Sequence, residues 1–354
     1  MAAGFSILFS NAPDPELGAP ASVEVFESVG NPTTYRISYA VDIVEGDLPL
    51  LQDARLAPGT PVAIFAQTAA GLPCLVKGPI TAQQIHLAHG GAGSTLDVLG
   101  VDSSIAMDRE DKSALWEGTD SNAVTQILGT YGLTPEVDTT AAAHAEAKHV
   151  LIQRETDLAF VRRLARRNGC LFWVTCDDTG LVETGHFQRP PLDAEPAAEL
   201  VINLADPPAN LDALDIVWDI ERPTSATASQ VDLAADSDIA GDVAQSPLAP
   251  LGAQGLAAIA AGTRTLHLHA PVDDAGDLQA RGEGALNEAA FFLRARGQTT
   301  AQALGAVLRS HTVVNLRGAG RRHSGRWFCA SVRHTLDEVE HRMEFELVRN
   351  GWEA

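Results

Sequence analysis

The sequence predicts an α+β, β-rich chain: two similar small antiparallel β-barrels, an α+β domain between them, and an inserted loop and helix segment. Three observations predict it. Short alternating β-type runs fill residues 22–102, two capped amphipathic helices lie within 106–206, and the last fifty residues return to a long alternating hairpin. The boundaries read as 1–105 for the first barrel, 106–206 for the α+β domain, 207–235 with 305–354 for the second barrel, and 236–304 for the insertion.

In the first barrel the runs are "SVEVFESV", "TYRISYAVDI", "TPVAIFAQ", "CLVKGPITAQQIHLA" and "STLDVLGVD". Asn31-Pro32, Pro58-Gly59, Gly71 with Pro73, and Gly90-Gly91 punctuate them as turns.

The next segment changes period. In "GTDSNAVTQILGTYGL" the polar start from Thr119 to Ser121 caps a helix, Val124, Ile127, Leu128 and Tyr131 share its apolar side, and Gly132 stops it. In "RETDLAFVRRLARRNGCLFWV" Thr156 is the expected N-cap, Asp157 favours the helix dipole, and Asn168-Gly169 form a left-handed exit. Leu158, Phe160, Val161, Leu164 and Ala165 fall within an arc of roughly 160°. Arg162, Arg163, Arg166 and Arg167 occupy the other side, either as a solvated face or as a subunit or partner contact.

Beyond Asp206, "LDALDIVWDI" reads as a strand and the Ser/Ala/Asp-rich stretch to Pro250 as exposed loops. "DLQARGEGALNEAAFFLRARG" reads as a helix with Leu278, Leu286, Ala289, Ala290 and Leu293 inward. The C-terminal region then mirrors the N-terminal one, with 18 positions both from Gly78 to Leu96 and from Gly325 to Met343. That register sets Ile85 against Val332 and Val98 against Phe345. A trimer of a chain with two such barrels presents six near-equivalent units, which matches a threefold object to a sixfold one.

Composition narrows function. The formal net charge of -21 argues against specific nucleic-acid binding and against anionic membranes, and no run is long enough for stable membrane insertion. The start "MAAGFSILFSNAPDPE" lacks the basic region of a secretory signal. Cys74, Cys170, Cys176 and Cys329 have neither zinc-site spacing nor the density of a disulfide scaffold, which points to a reducing compartment of synthesis.

Candidate chemistry is thin. His267 and His269 in "LHLHAP", with Asp273 or Asp274 near, form half of a metal site at most, so no metal and no cofactor is expected. "GAGRRHSG" fails both phosphate-loop patterns and reads as a hairpin turn whose Arg321, Arg322 and His323 are candidate contacts to an acidic partner. There is no GxSxG elbow and no identifiable pair of catalytic carboxylates, so no catalytic residue is assigned and the chain is expected not to be an enzyme.

"VLIQRETDLAFVRRLARRNGCLFWV" resembles the signature of the contractile-tail baseplate hub family: phage late control protein D, myovirus tail hubs and the N-terminal hub part of VgrG. The resemblance extends to "DREDKSALWEGTDSNAVTQILGTYGL" and "GRWFCASVRHTLDEVEHRMEFELVRNG", covers most of the chain, and is least clear between about 225 and 280. It implies a homotrimer with a pseudo-sixfold barrel ring that joins a tail tube protein to a spike, with other baseplate proteins, a tape-measure protein or cargo in the lumen. Because the sequence stops at Ala354 without an OB-fold or β-helix needle, the spike is expected to be a separate protein. Such a hub assembles in the bacterial cytoplasm and becomes part of a phage tail, a tailocin or an injection particle, which is sometimes released. The alternatives are a cell-envelope hydrolase at the tail tip and a β-rich carbohydrate-binding module.

Overall fold

The computed structural model describes residues 4–13, 17, 19–41, 48–68, 71–89, 91–145, 150–232, 237–268 and 275–353. The first half contributes β1 (Phe5–Phe9), β2 (Ser22–Ser28), β3 (Thr34–Ala40), β4 (Pro61–Ala66), β5 (Cys74–His86) and β6 (Thr95–Val101). Alternation decides what each strand buries: Val23 and Val25 of β2, Tyr35, Ile37 and Tyr39 of β3, and Leu96 and Val98 of β6 enter one core.

The middle segment carries β7 (Asp111–Trp116), α1 (Asp120–Thr130), β8 (Thr134–Val137), β9 (Leu151–Thr156), α2 (Asp157–Arg167), β10 (Leu171–Cys176) and β11 (Glu183–Gln188). Both helices start as expected: Thr119 Oγ1 accepts from the Asn122 amide, and Thr156 Oγ1 from the Ala159 amide. The left-handed exit of α2 is Gly169 alone, at φ 65°. Leu158, Phe160, Val161, Leu164 and Ala165 are all buried, packing with Val124, Ile127 and Leu128 of α1. Each large side chain so buried is worth about 1.5–3 kcal/mol, so this apolar arc fixes the helix.

The remainder provides β12 (Glu199–Val201), β13 (Leu214–Trp218), β14 (Ser225–Asp232), β15 (Ser237–Val243), β16 (Thr265–Leu268), α3 (Ala275–Ala290), β17 (Leu293–Thr300), β18 (Val313–Arg317), β19 (Gly325–Leu336) and β20 (His341–Arg349). Two expectations change here. The Ser/Ala/Asp-rich stretch forms the antiparallel pair β14·β15, which with β16 makes a separate three-stranded sheet rather than exposed loops. The helix ends at Ala290, and Leu293 opens β17, a strand within the stretch read as insertion that pairs with both β13 and β20. α3 packs closely on α2 because Gly284 has no side chain: a Cβ there would lie 2.7 Å from the Arg166 carbonyl oxygen.

The expected repeat is present in strand order. The first half runs β2-β3-β6-β5-β4-β1 and the second β13-β17-β20-β19-β18-β12. In place of two separate closed barrels, the halves fuse into one 13-stranded sheet, and no ring of pairing closes among the described residues. The physical reason is the length of β19. Its first part pairs with β18, a bulge between Cys329 and Ser331 shifts it, and Ser331–Leu336 pair antiparallel with β2.

β5 carries the matching bulge between Ile80 and Ala82. Aligning the two bulges keeps Leu96 with Met343 and Val98 with Phe345, but sets Ile85 against His334. The glycine-anchored register, which set Ile85 against Val332, is therefore two residues out on this strand. That even slip keeps the same face, which is why the hydrophobic pattern concealed it.

The cysteine reading is also corrected. Cys74 at the start of β5 and Cys176 at the end of β10 form a disulfide across a sequence separation of 102 residues, while Cys170 and Cys329 are buried free thiols. The sequence pairs no neighbours because the partners come from different segments. No helix among the described residues is long and apolar enough to cross a membrane.

Candidate assembly surface

The four arginines of α2 divide. The Arg162 guanidinium donates to the Gly30 carbonyl and to Asn31 Oδ1, clasping the β2–β3 turn. Arg163 donates to Glu155 at 2.6 Å and to the Ile152 carbonyl, and lies over the Phe160 ring. Arg167 turns inward onto the buried Asp120, its Nε at 2.7 Å, with His144 and Asn168 bonding the same carboxylate. The Arg166 side chain is exposed and makes no hydrogen bond or ion pair among the described residues. Arg163 and Arg166 are thus exposed, whereas Arg167 is occupied within the fold.

"GAGRRHSG" is a hairpin connection, as expected, with one helical turn at Gly320–His323. It is anchored from beneath by Arg349, whose guanidinium is buried and donates to the carbonyls of Arg322, Ser324 and Leu251. The Arg322 guanidinium lies 4.8 Å from the Trp352 ring centre. The His323 carbonyl accepts from Trp327 Nε1, and Arg321 is exposed.

A polar chain at the meeting of both halves with the middle segment was not read from the sequence. Glu27, buried on the apolar side of β2, accepts from Arg309 Nε at 2.6 Å and from Ser310. Arg309 also donates to the Cys74 and Leu75 carbonyls, so it ties β2 to β5. Ser310 bonds His311, whose ring stacks on Trp173 with centres 4.3 Å apart, and His186 stacks on the other face of Trp173 at 4.6 Å. His186 Nδ1 lies 3.0 Å from Glu136. One signal was available: Val23, Val25 and Glu27 alternate, and a carboxylate in an apolar register requires a partner.

Of the proposed metal ligands, His267 is exposed, and His269, Asp273 and Asp274 lie outside the described residues. No group of three or more potential metal ligands occurs among the described residues.

A family model described as the Alg8 N-terminal domain matches residues 21–338. The chain belongs to the Alg8 N-terminal domain family. No curated protein matches its sequence. Solved structures match this chain over nearly its whole length. A tail protein from Neisseria meningitidis MC58 has a TM-score of 0.69 at 14% identity, covering 99% of this chain and 98% of that one. The 43 kDa tail protein of prophage MuSo2 from Shewanella oneidensis gives 0.69 at 14%, covering 98% of each. An E. coli component of the type VI secretion system, described as similar to the T4 bacteriophage tail proteins gp27 and gp5, gives 0.60 at 16%, covering 97% of this chain and 76% of that one. This Alg8 N-terminal domain chain therefore has the β-rich fold of phage tail proteins.

Proposed function

We propose that this chain is the structural hub of a contractile tail or injection system, a homotrimer that adapts a sixfold tail tube to a threefold spike. The observation that carries the reading is the repetition of six strands in the same order within one chain. Val62, Ile64, Leu96 and Val98 in the first half correspond to Val314, Leu316, Met343 and Phe345 in the second, all buried. Three chains then offer six near-equivalent half-units to a tube while keeping a threefold axis for a spike. The shared fold of the tail proteins and the type VI component supports the same reading.

The role is mechanical rather than enzymatic: the hub closes the tube before firing and travels with it afterwards. Its partners are the tube protein, the spike, other baseplate proteins and, in the lumen, a tape-measure protein or cargo. It assembles in the bacterial cytoplasm and ends in a virion tail or an injection particle. The net charge of -21 suits a lumen that does not hold nucleic acid. Native mass spectrometry with tube and spike proteins tests this: three copies per spike are expected, and a chain that stays monomeric with both partners present overturns it.

A further inference from the structure

A cleft of about 420 Å³ opens where α2 and α3 meet both halves of the sheet. Clefts of that size, apolar inside with a few convergent polar groups, are where proteins hold ligands. The floor here is apolar: Cys170, Phe172, Phe328 and Val348 line it, the first three only 5%, 5% and 2% exposed. Phe291 of α3 closes one side, its ring centre 6.1 Å from that of Phe328. The floor is preformed, because Phe328 and Val348 are paired neighbours on β19 and β20, and Phe172 pairs with Phe187 across β10 and β11.

Three arginines line the cleft, and they differ in what already holds them. Arg162 is engaged by the Gly30 carbonyl and Asn31, and Arg294 donates to Glu346 at 3.3 Å. The Arg166 side chain is exposed and has neither a hydrogen bond nor an ion pair among the described residues. Glu288, on the α3 side of the cleft, is exposed too and makes no ion pair among the described residues.

We infer that this cleft takes the C-terminal residue of a partner protein, its large apolar side chain on the floor and its terminal carboxylate on Arg166. Charge complementarity selects that occupant. A guanidinium holds a carboxylate through two parallel hydrogen bonds, and Arg166 is the cleft arginine left without a partner. A carboxylate and a large apolar side chain belong to one residue only at the C-terminus of a chain, a group that proteins capture as a recognition signal. Glu288 repels a second carboxylate, so a neutral or basic residue before the last one is favoured. The site does not depend on the hub reading above; which tail component supplies the terminus does.

The test uses the full-length chain and two matched arrays of short peptides that vary the last residue, one array with free carboxylates and one with C-terminal amides. Free acids ending in Leu, Ile, Met or Phe are expected to bind about tenfold more tightly than their amides. Arg166→Ala should abolish that difference, and Arg163→Ala, on the same helix but outside the cleft, should preserve it. The tightest acid, remade with photoreactive benzoylphenylalanine in last position, should attach to residues of the cleft, as located by peptide mass spectrometry. Equal binding of acids and amides, indifference to the last side chain, no binding at all, or attachment elsewhere overturns the site. Each of those results leaves the hub reading standing, because the copy number with tube and spike proteins decides that reading separately.

Discussion

Arg167 and Asp120 form an ion pair that ties the end of α2 to the start of α1, with side chains only 10% and 1% exposed. The carboxylate sits at the first turn of α1 and receives further bonds from His144 and Asn168. Removing the arginine leaves a buried charge short of its main partner, a change that costs about 3–5 kcal/mol. Arg167→Ala should lower the denaturant midpoint accordingly, and Arg166→Ala, on the exposed side of the same turn, should leave it unchanged. Equal effects from the two would contradict the division of the arginines.

The Cys74–Cys176 bond ties the first half to the middle segment by closing a loop with a sequence separation of 102. In the chain-entropy account a loop of that length stabilises by about 4–5 kcal/mol. Unfolding with and without reductant measures this. A lower melting temperature on reduction is expected, with no further loss when the Cys74→Ser variant is reduced.

Stability should fall as pH drops below about 6.5, the ordinary histidine value. Burial, then His186 and Arg309, lowers His311 to about 3, and burial lowers His341 to about 4. Burial, His341 and Arg309 hold His334 well below its usual value. Glu27 lies on the other side of His334, at 3.9 Å. Because the folded state holds these rings neutral, the unfolded chain takes up protons first, so stability is complete above 6.5 and is lost progressively towards about 4. Denaturant midpoints at pH 7.5 and 5.0 check the sign; equal midpoints would contradict it.

Gly100 lies opposite Tyr35, and a Cβ on it would come within 2.4 Å of three atoms of the Tyr35 side chain. Gly100→Ala should therefore destabilise the first half by about 1–3 kcal/mol through overpacking, and Tyr35→Phe in the same chain should not relieve it. A thermal melt of the two variants decides this.

The same pair explains how much was legible. The counterparts of Tyr35 and Gly100 are Ala295 and Leu347, again one large and one small residue, but on exchanged strands. Ile37 with Val98 corresponds to Gly297 with Phe345, where a Cβ on Gly297 would lie 2.9 Å from the Phe345 ring. At these pairs the two halves divide side-chain volume differently across the sheet, so hydrophobic period survives the repeat and identity does not. Helix caps and buried arcs were readable because they are local, as Thr119, Thr156 and Leu164 show. The fusion of the halves through β19, the disulfide, and the Trp173 stack were not, because each joins residues far apart in sequence.

The most direct measurement is electron microscopy of the hub bound to its tube, viewed down the axis. The account expects threefold averages with a strong sixfold component, since the two six-stranded halves of each of three chains alternate around the ring. Averages without threefold symmetry, or a threefold ring with no sixfold component, would contradict the claim that the internal repeat exists to match symmetries.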